Sequence, residues 1–511
     1  MGYPIWDLAI GGSLLMALVA IPHVIVSHFA IGGGLLIALT ETLAVKRGDP
    51  ELRGLAKRSS LMLILVSTVF GAISGVGIWV VAGLVSPGAI SALIHTYVWG
   101  WAIEWVFFVL EIVAALVYYS TWDKISKGAH LLVGWLYFIA AYLSLVIING
   151  IVTFMLTPGR WLETGAFWDG FFNPTYWPSL ALRTGICLMM AAAFMVFPAM
   201  RAAAAHRDRL VRYLGWWFAA GALVSYAGYR WWEAALPEPV HALFRGPAPK
   251  LAALAATRHF ALWSLATALV VAVIILLARP RLTRPLTAAV LAIAAFAFFG
   301  SYERLREGVR KPFLIHSYMF SNGLRVADIA DVNQRGVLAA SGWAGHAAAQ
   351  DPADAGRQVF RAQCSSCHTL DGYQAIRAAL PSVADVLAVA ADDPAGSGAR
   401  AYREQCAACH PDASFEDMKG MLPSADEIRG DPGMVRDLNF GMITASLQKL
   451  RAVGDDYLAA DRTRMIDTRA LHAPYMPPLV GTEEELEALA GYLGSLADER
   501  TPRMAMQGGE R

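Results

Sequence analysis

Eight apolar stretches, each long enough to cross a bilayer, restrict this chain to a polytopic helical fold. They run roughly over 14–45, 59–86, 97–121, 130–157, 178–200, 214–235, 257–278 and 285–303. Hydrocarbon offers no water to backbone N–H and C=O groups, so uninterrupted apolar runs of this length must bond internally as helices. Composition agrees, with 56% hydrophobic and only 16% charged residues, against about 25% charged in soluble domains. The N-terminus has no positively charged n-region and no A-x-A site follows the first run, so a cleavable signal peptide is not expected.

Basic residues divide unevenly between the loops. Those after the first, third, fifth and seventh runs carry Lys46, Arg47, Arg53, Lys57, Arg58, Lys124, Lys127, Arg201, Arg207, Arg209, Arg212, Arg279, Arg281 and Arg284. The alternate loops carry Arg160, Arg245 and Lys250. Positive-inside then puts the basic loops in the cytoplasm and both termini outside, as for a multi-pass protein of the bacterial inner membrane. Partners at this surface are membrane lipid; a net charge of +1 with no basic patch gives no reason to expect nucleic acid.

Beyond about Ala327 the chain turns polar, and the last third carries two C-x-x-C-H motifs, Cys364-Ser-Ser-Cys367-His368 and Cys406-Ala-Ala-Cys409-His410. Two thiols at this spacing can add to the vinyl groups of a haem while the adjacent histidine ligates its iron. A thioredoxin-like C-x-x-C needs no following histidine, and a zinc site would need a tighter cluster of ligands. Four of the five cysteines lie in these motifs, and the fifth, Cys187, sits in an apolar run and reads as a small buried hydrophobe. Attachment of haem to C-x-x-C-H, in c-type cytochromes generally, takes place on the outer face, in agreement with the loop charges. The expected cofactors are therefore two covalently bound haems c.

The tail is internally duplicated. Gly356-x3-Phe360-Arg361-x-Gln363-Cys364 matches Gly398-x3-Tyr402-Arg403-x-Gln405-Cys406, and Leu380-Pro-Ser382 matches Leu422-Pro-Ser424 at the same offset of 42. An aromatic four residues before the first cysteine shares its helix face and can pack on a porphyrin. Distal ligands are not duplicated: no Met or His lies between His368 and Cys406, whereas Met418, Met421, Met434, Met442, Met465, His472 and Met476 lie downstream. The segment Tyr475-Met476-Pro-Pro-Leu-Val-Gly-Thr482, followed by an amphipathic helix at Glu483–Leu496, resembles the distal half of class I cytochromes c. That resemblance implies Met476 as an iron ligand, of the His368 haem. Met418 or Met421 is then a candidate for the His410 haem, with core packing as the alternative.

Ionisable groups inside membrane helices are costly and mark function. His23 and His28 lie in the first run, Glu104 and Glu111 in the third, and Glu303 and Glu307 at the end of the eighth. Glu104 and Glu111, seven apart, share one helix face about 10 Å from each other. The expected topology brings His23, Glu104 and Glu307 to one depth near the outer face, with Glu111 deeper, where a proton carrier is wanted. The alternatives are a helix-interface hydrogen bond for each histidine and a buried pair with an arginine for each glutamate.

These residues sit in segments similar to the large subunit of cytochrome bd-type oxygen reductases. His23 precedes Glu41-Thr42 by eighteen residues, as in that family. Phe108-Val-Leu-Glu111, Thr121-Trp-Asp-Lys-Ile-Ser-Lys127 and His130-Leu-Leu-Val-Gly-Trp135 resemble its third and fourth helices, and Glu307-Gly-Val-Arg310-Lys-Pro312-Phe313 resembles its E-x-G-R-Q-P-W signature. The resemblance covers roughly 15–157 and 285–315. It implies two membrane haems, of b and/or d type, held by His23, Glu104 and Glu307. It further implies Arg310 on their propionates with Asn149 as a further contact, Glu111 as a proton carrier, and a second membrane subunit resembling bd subunit II as partner.

The departures from the family are specific. The fifth run, Asn173-Pro-Thr-Tyr-Trp-Pro-Ser-Leu-Ala-Leu-Arg183-Thr, lacks the histidine of the quinol-side haem, and Arg258-His259-Phe260 stands where the helix 7 methionine is expected. The quinol-binding loop shrinks to Leu236–Arg258, and the signature Gln and Trp become Lys311 and Phe313. The expected protein is all-α: a polytopic bundle over 1–320, a linker over 321–345, and a class I cytochrome c-like dihaem domain over 346–511. That domain would comprise units near 354–395 and 396–431 and a distal-ligand half over 440–500. The expected activity is oxygen reduction to water, with electrons entering through the c haems from a periplasmic donor cytochrome or other redox protein and protons from the cytoplasm. Other classes are a quinol-oxidising cytochrome running the opposite way, a non-catalytic electron conduit, and a reductase of nitric oxide.

Overall fold

The structure, a computed structural model, describes residues 6, 8, 10–241, 243, 249–341, 352–371, 375–392, 396–407, 413–468 and 476–498. Helices dominate throughout. Helix α1 (Gly12–Arg47) ends at Gly48, whose φ of 63° lets its N–H return to the Ala44 carbonyl. Asp49 then caps α2 (Pro50–Ile64) by accepting from the N–H groups of Glu51 and Leu52. A π-helical turn, Leu65–Gly71, joins α2 to α3 (Ala72–Val85). There follow α4 (Pro87–Thr96), α5 (Val98–Ser120), α6 (Lys127–Leu156), the short α7 (Trp161–Thr164) and α8 (Phe167–Phe171), then α9 (Tyr176–Met200) and α10 (Ala204–Ala235). Beyond α11 (Glu238–His241), α12 (Pro249–Val271) runs through a second π-helical turn, and α13 (Pro285–Arg310) closes the bundle.

Among the described residues seven helical spans are long and apolar enough to cross a membrane. The expected eighth, 214–235, is helical as part of α10. Its hydropathy is diluted by Trp216, Trp217, Tyr226, Tyr229, Arg230, Trp231 and Trp232, and it does not reach the level of the others. Helix α9 occupies the centre of the bundle, and its window is the most buried of the spans. Close helix crossings use small residues, as membrane packing requires. A Cβ on Gly32 of α1 would stand 1.9 Å from the Cys187 carbonyl oxygen of α9. Cys187 is 2% exposed, so the isolated cysteine belongs to that crossing.

The segment expected as a linker is packed in its described part. After α13 the chain forms a small antiparallel pair, β1 (Phe313–Ile315) and β2 (Met319–Phe320), then α14 (Ile329–Arg335) and α15 (Val337–Ala340). Phe313, Phe320, Leu324, Val326, Ile329, Val332 and Val337 are buried against Ala362, Val453, Tyr457, Ile466 and Val480. Apolar residues spaced among polar ones therefore form a seat, and this seat holds the C-terminal lobe on the bundle. Ile466 N–H donates to Ser317 Oγ at 2.8 Å, and Ser13 Oγ at the head of α1 donates to the Ser366 carbonyl at 3.3 Å.

The lobe comprises α16 (Pro352–Gln363), α17 (Ile376–Ala379), α18 (Val383–Ala390), α19 (Ser397–Ala401), α20 (Phe415–Met421), α21 (Ala425–Gly430), α22 (Gly433–Ala459) and α23 (Glu483–Asp498). The sequence duplication reappears as duplicated caps. Ser382 and Asp385 form a capping box on α18, and Ser424 and Glu427 form the same box on α21. Phe360 of the first unit is 1% exposed in a core with Leu380, Leu479 and Leu489. In the second unit the turn before the motif, Tyr402–Cys406, is π-helical.

Candidate functional site

Between the lobe and the bundle lies a partly open cavity of about 1010 Å³. Cys364, Cys367 and His368 of the first motif, Cys406 of the second, and the candidate ligands Met418, Met421 and Met476 all line it. Cys409 and His410 lie outside the described residues. Met418 is buried and Met421 is 64% exposed, so the two methionines differ in how firmly they are held. Met442 of α22 also lines the cavity. It lies far from either motif in sequence, and only the return of α22 across the lobe brings it in. One cavity thus holds thiols of both motifs, an imidazole and thioether sulfurs, a donor set that fits covalently attached haem.

Part of the cavity wall belongs to the membrane bundle. Arg304, Gly308 and Lys311, on one face of the end of α13, line it together with Pro312 and Ser13. The neighbouring face of α13 carries a chain of ion pairs. Glu303 bonds Arg183 of α9 and Arg306, the latter at 3.0 Å. Glu307 bonds Arg306 at 2.6 Å and Arg310. Arg306 also donates to the Val152 carbonyl at 3.1 Å, and Arg310 to the Leu314 carbonyl at 2.7 Å. Both glutamates therefore have the arginine partners that were the alternative for them. Three guanidinium groups against two carboxylates leave this network with a surplus positive charge, suited to a haem propionate.

The expected membrane ligands do not meet in one cluster. His23 Nδ1 lies 3.1 Å from Ser74 Oγ of α3, and Gly75 leaves room for the ring, since a Cβ there would stand 3.1 Å from His23 Cε1. Glu104 accepts from Ser144 Oγ of α6 at 2.9 Å. Glu111 accepts from the Tyr137 hydroxyl at 3.2 Å, and that hydroxyl also lies 3.2 Å from the Ala30 carbonyl. Tyr137 therefore sets Ala30 and Glu111 at one level. Seven residues, or roughly 10 Å of helix rise, separate His23 from Ala30 and Glu104 from Glu111, so His23 and Glu104 share a depth. His28 packs its ring on Phe299 of α13 at 4.4 Å. Counting rise from that contact puts Glu303 nearest the depth of His23 and Glu307 roughly one turn beyond it. His23 faces α3, Glu104 faces α6 and Glu303 faces α9, whereas Glu307 bonds only arginines of its own helix among the described residues. Among the described residues no three His, Cys, Asp or Glu side chains gather closely enough to hold a bare metal ion. The arrangement suits separate irons, each taking its ligand from a different helix.

Three buried polar atoms near these residues lack partners among the described residues: His28 Nε2, Asn149 Oδ1 and Arg310 Nε. Asn149 anchors its Nδ2 on the Tyr176 carbonyl at 2.9 Å, leaving Oδ1 over. Orphaned groups of this kind call for a ligand or water, and they fit the presence of haem.

His316 lies at the junction of bundle and lobe, 1% exposed, with Nδ1 2.8 Å from Ser317 Oγ. Burial and then the Arg310 guanidinium push its imidazole down to about 3, with Asp467 opposing. The unfolded chain takes up this proton near pH 6.5 and the folded one does not, so folded-state stability falls as pH drops from 6.5 towards 3. The loss is at most about 1.4 kcal/mol per pH unit. Thermal unfolding between pH 7 and 4.5 is expected to show this slope in the wild type and a shallower one in His316→Gln. Equal slopes would assign the acid sensitivity to other groups.

Residues 13–228 match the family model described as cytochrome bd terminal oxidase subunit I. Among solved structures, the chain is similar to the bd oxidase from Geobacillus thermodenitrificans at 16% identity and a TM-score of 0.52, covering 59% of this chain and 87% of that one. At this identity the likeness establishes the fold of the bundle. No curated protein matches the chain.

Proposed function

We propose that the chain is the haem-binding subunit of a bd-like membrane oxygen reductase that receives electrons from outside through two haems c. The observation that carries this reading is the shared wall of the large cavity. Cys364, Cys367, His368 and Cys406 line the same space as Gly308 and Lys311, and Gly308 is the neighbour of Glu307 on α13. The matched span, 13–228, contains His23, Glu104 and Glu111 and supports their assignment to the membrane site. Bound haem supplies one-electron transfer in the lobe and oxygen-reducing iron in the bundle.

The chain's own contributions divide by position. The two motifs provide the thioether links and proximal histidines, His368 and His410, with Met476 and either Met418 or Met421 as distal ligands. His23, Glu104 and Glu307 ligate in the bundle, and Arg310 with Asn149 holds propionates. Glu111, on the basic side of Glu104, delivers protons. The basic loops face the cytoplasm, and a second membrane subunit completes the assembly. Electrons enter at the lobe because the histidine and methionine of the usual quinol-side haem are absent from α9 and α12.

Oxygen uptake by the purified protein with a reduced soluble cytochrome c tests the proposal. His23→Ala is expected to abolish uptake, a loss of at least about 10²-fold, with the c-haem spectrum unchanged. Wild-type protein that consumes no oxygen, yet reduces its c haems rapidly with quinol, would establish the opposite direction of flow.

A further inference from the structure

Helices α1, α5 and α6 meet along a seam where polar ends enclose a small middle. On α5 the seam residues are Glu111, Ala115 and Tyr118; on α6 they are His130, Gly134 and Tyr137. On α1 they are Ala30, Gly34, Ala38 and Glu41, at helical spacing along one face. One end holds Glu111 with Tyr137. At the other, towards the basic loops, Tyr118 donates to Glu41 Oε2 at 2.6 Å and His130 Nδ1 lies 2.8 Å from Glu41 Oε1. His130 Nε2 lies 2.9 Å from the Tyr118 carbonyl oxygen.

That last contact fixes the protonation logic. A carbonyl oxygen only accepts, so Nε2 carries its hydrogen. Nδ1 and Glu41 Oε1 are then left to share one proton. With it the cluster is neutral overall; without it the cluster carries one negative charge. Glu41 is 1% and His130 3% exposed, so the pair is buried.

Between the two ends lies a cavity of about 10 Å³, lined by Gly34, Ala38, Ala115, Tyr118, Gly134 and Tyr137 of the seam together with Ile37, Ser60, Leu63 and Ile64. This is about the space one water needs. The small residues keep it open: a Cβ on Gly34 would stand 2.4 Å from Tyr137 Cε1, and one on Gly134 2.8 Å from Tyr118 Cε2. On the basic side Trp122 packs on His130 at 4.2 Å and lies under Arg53 and Lys57, at 5.2 and 5.9 Å, which both bond Asp123.

We propose that Glu41, His130 and Tyr118 form a proton-loading station that feeds Glu111 through this cavity and Tyr137. The proposal rests on the reading of Glu111 as proton carrier. Each transfer moves one proton. Glu41 takes the shared proton and turns its carboxyl so that the new O–H faces the Tyr118 oxygen; Tyr118 accepts that proton as it gives its own hydroxyl hydrogen to a water in the cavity. The water passes a hydrogen to the Tyr137 hydroxyl, which gives its own to the Glu111 carboxylate. The station goes from neutral to singly negative as Glu111 goes from negative to neutral, and a proton from the basic-side solvent restores the station. Only O–H and N–H bonds change, and no electron moves.

The test uses the full-length, haem-loaded protein without oxygen. A pH dye follows proton uptake as a chemical reductant reduces the haems, and infrared difference spectra follow the protonated carboxyl band. Glu41→Gln and the cavity-filling Ala115→Val are both expected to slow uptake by at least about tenfold and to diminish the carboxyl band change, with c-haem reduction within about twofold of wild type. Ala115→Gly, which keeps the space, is expected to behave as wild type. Wild-type rates in Glu41→Gln, or in an Ala115→Val protein with normal haem spectra, would overturn the proposal. A wild-type protein without reduction-linked uptake would overturn it too. Absence of oxygen consumption in the wild type would instead count against the oxygen reductase reading alone.

Discussion

Gly356→Leu is expected to prevent the covalent haem attachment proposed for the C-terminal lobe while leaving the membrane bundle folded. Gly356 sits where α16 crosses α23, and a Cβ there would stand 2.1 Å from the Ala488 carbonyl oxygen and 2.7 Å from Tyr492 Cβ. The nearest obstacle is backbone, which has no rotamer to change, so the two helices must separate. Overpacking of a tight interior costs about 1–3 kcal/mol even when side chains can adjust, and this site lies at or above the top of that range. Helix α16 leads directly into Cys364 and carries Phe360, whose ring packs at 6.2 Å from Tyr492. Parting α16 from α23 therefore opens the cavity before thioether bonds form. Haem staining on a denaturing gel reads covalent attachment, and the thermal midpoint reads the fold. Gly491→Ala on α23, the other helix of the crossing, is the control, since nothing lies within 4 Å of its Cβ and alanine favours helix. Covalent haem and wild-type stability in Gly356→Leu would show that this crossing does not hold the lobe together.

The bundle was legible because apolar runs of bilayer length leave the backbone no alternative to helix. Seven spans carry that signal at full strength, and α10 forms with a weaker one because tryptophan and tyrosine replace aliphatic residues. The 321–345 segment reads as a linker because the chain turns polar there, with Gly, Asp and Pro clusters beginning near its end. The partners of its apolar residues, Val453, Tyr457 and Ile466, lie more than a hundred residues away, beyond any periodicity. The same limit governs the sites. The cysteine motifs and the glutamates announce themselves locally, and Glu307 with Arg310 is visible as a pair three apart on one helix. Arg183, which closes the network from 120 residues away, is not. Nor is the contact of Glu41 with His130 across 89 residues. A buried charge in an apolar helix can be found from sequence; what neutralises it is a matter of tertiary packing.

Glu303 and Glu307 look alike in sequence, and their substitutions are expected to separate. The Glu303 side chain is 23% exposed and joins Arg183 and Arg306, which are 7% and 8% exposed. Glu303→Gln leaves the network with three guanidinium groups and one carboxylate. Unpaired buried charge of this kind costs about 3–5 kcal/mol, so a lower thermal midpoint is expected. The Glu307 side chain is 37% exposed, the more open of the two. Its loss still leaves Arg306 on Glu303 and on the Val152 carbonyl, and Arg310 on the Leu314 carbonyl. Glu307→Gln leaves the same charge balance, with Arg310 on a carbonyl alone, and its own more open position puts the expected cost at the low end of that range, about 3 kcal/mol. On the proposed assignment of Glu307 as an iron ligand its effect falls on the cofactor: an amide is a poor ligand for iron, so the absorption of one membrane haem should shift or vanish while the proposed c-haem bands stay. Thermal unfolding and reduced-minus-oxidised spectra on the same preparations separate the two effects. A Glu303→Gln protein with altered membrane haem and normal stability, beside a Glu307→Gln protein with normal haem, would exchange the roles and make Glu303 the ligand. That outcome is physically coherent, because Glu303 lies nearer the depth of His23. Each carboxylate is held by two buried arginines and must give one up before it can bind iron, and the greater openness of Glu307, 37% against 23%, decides for it.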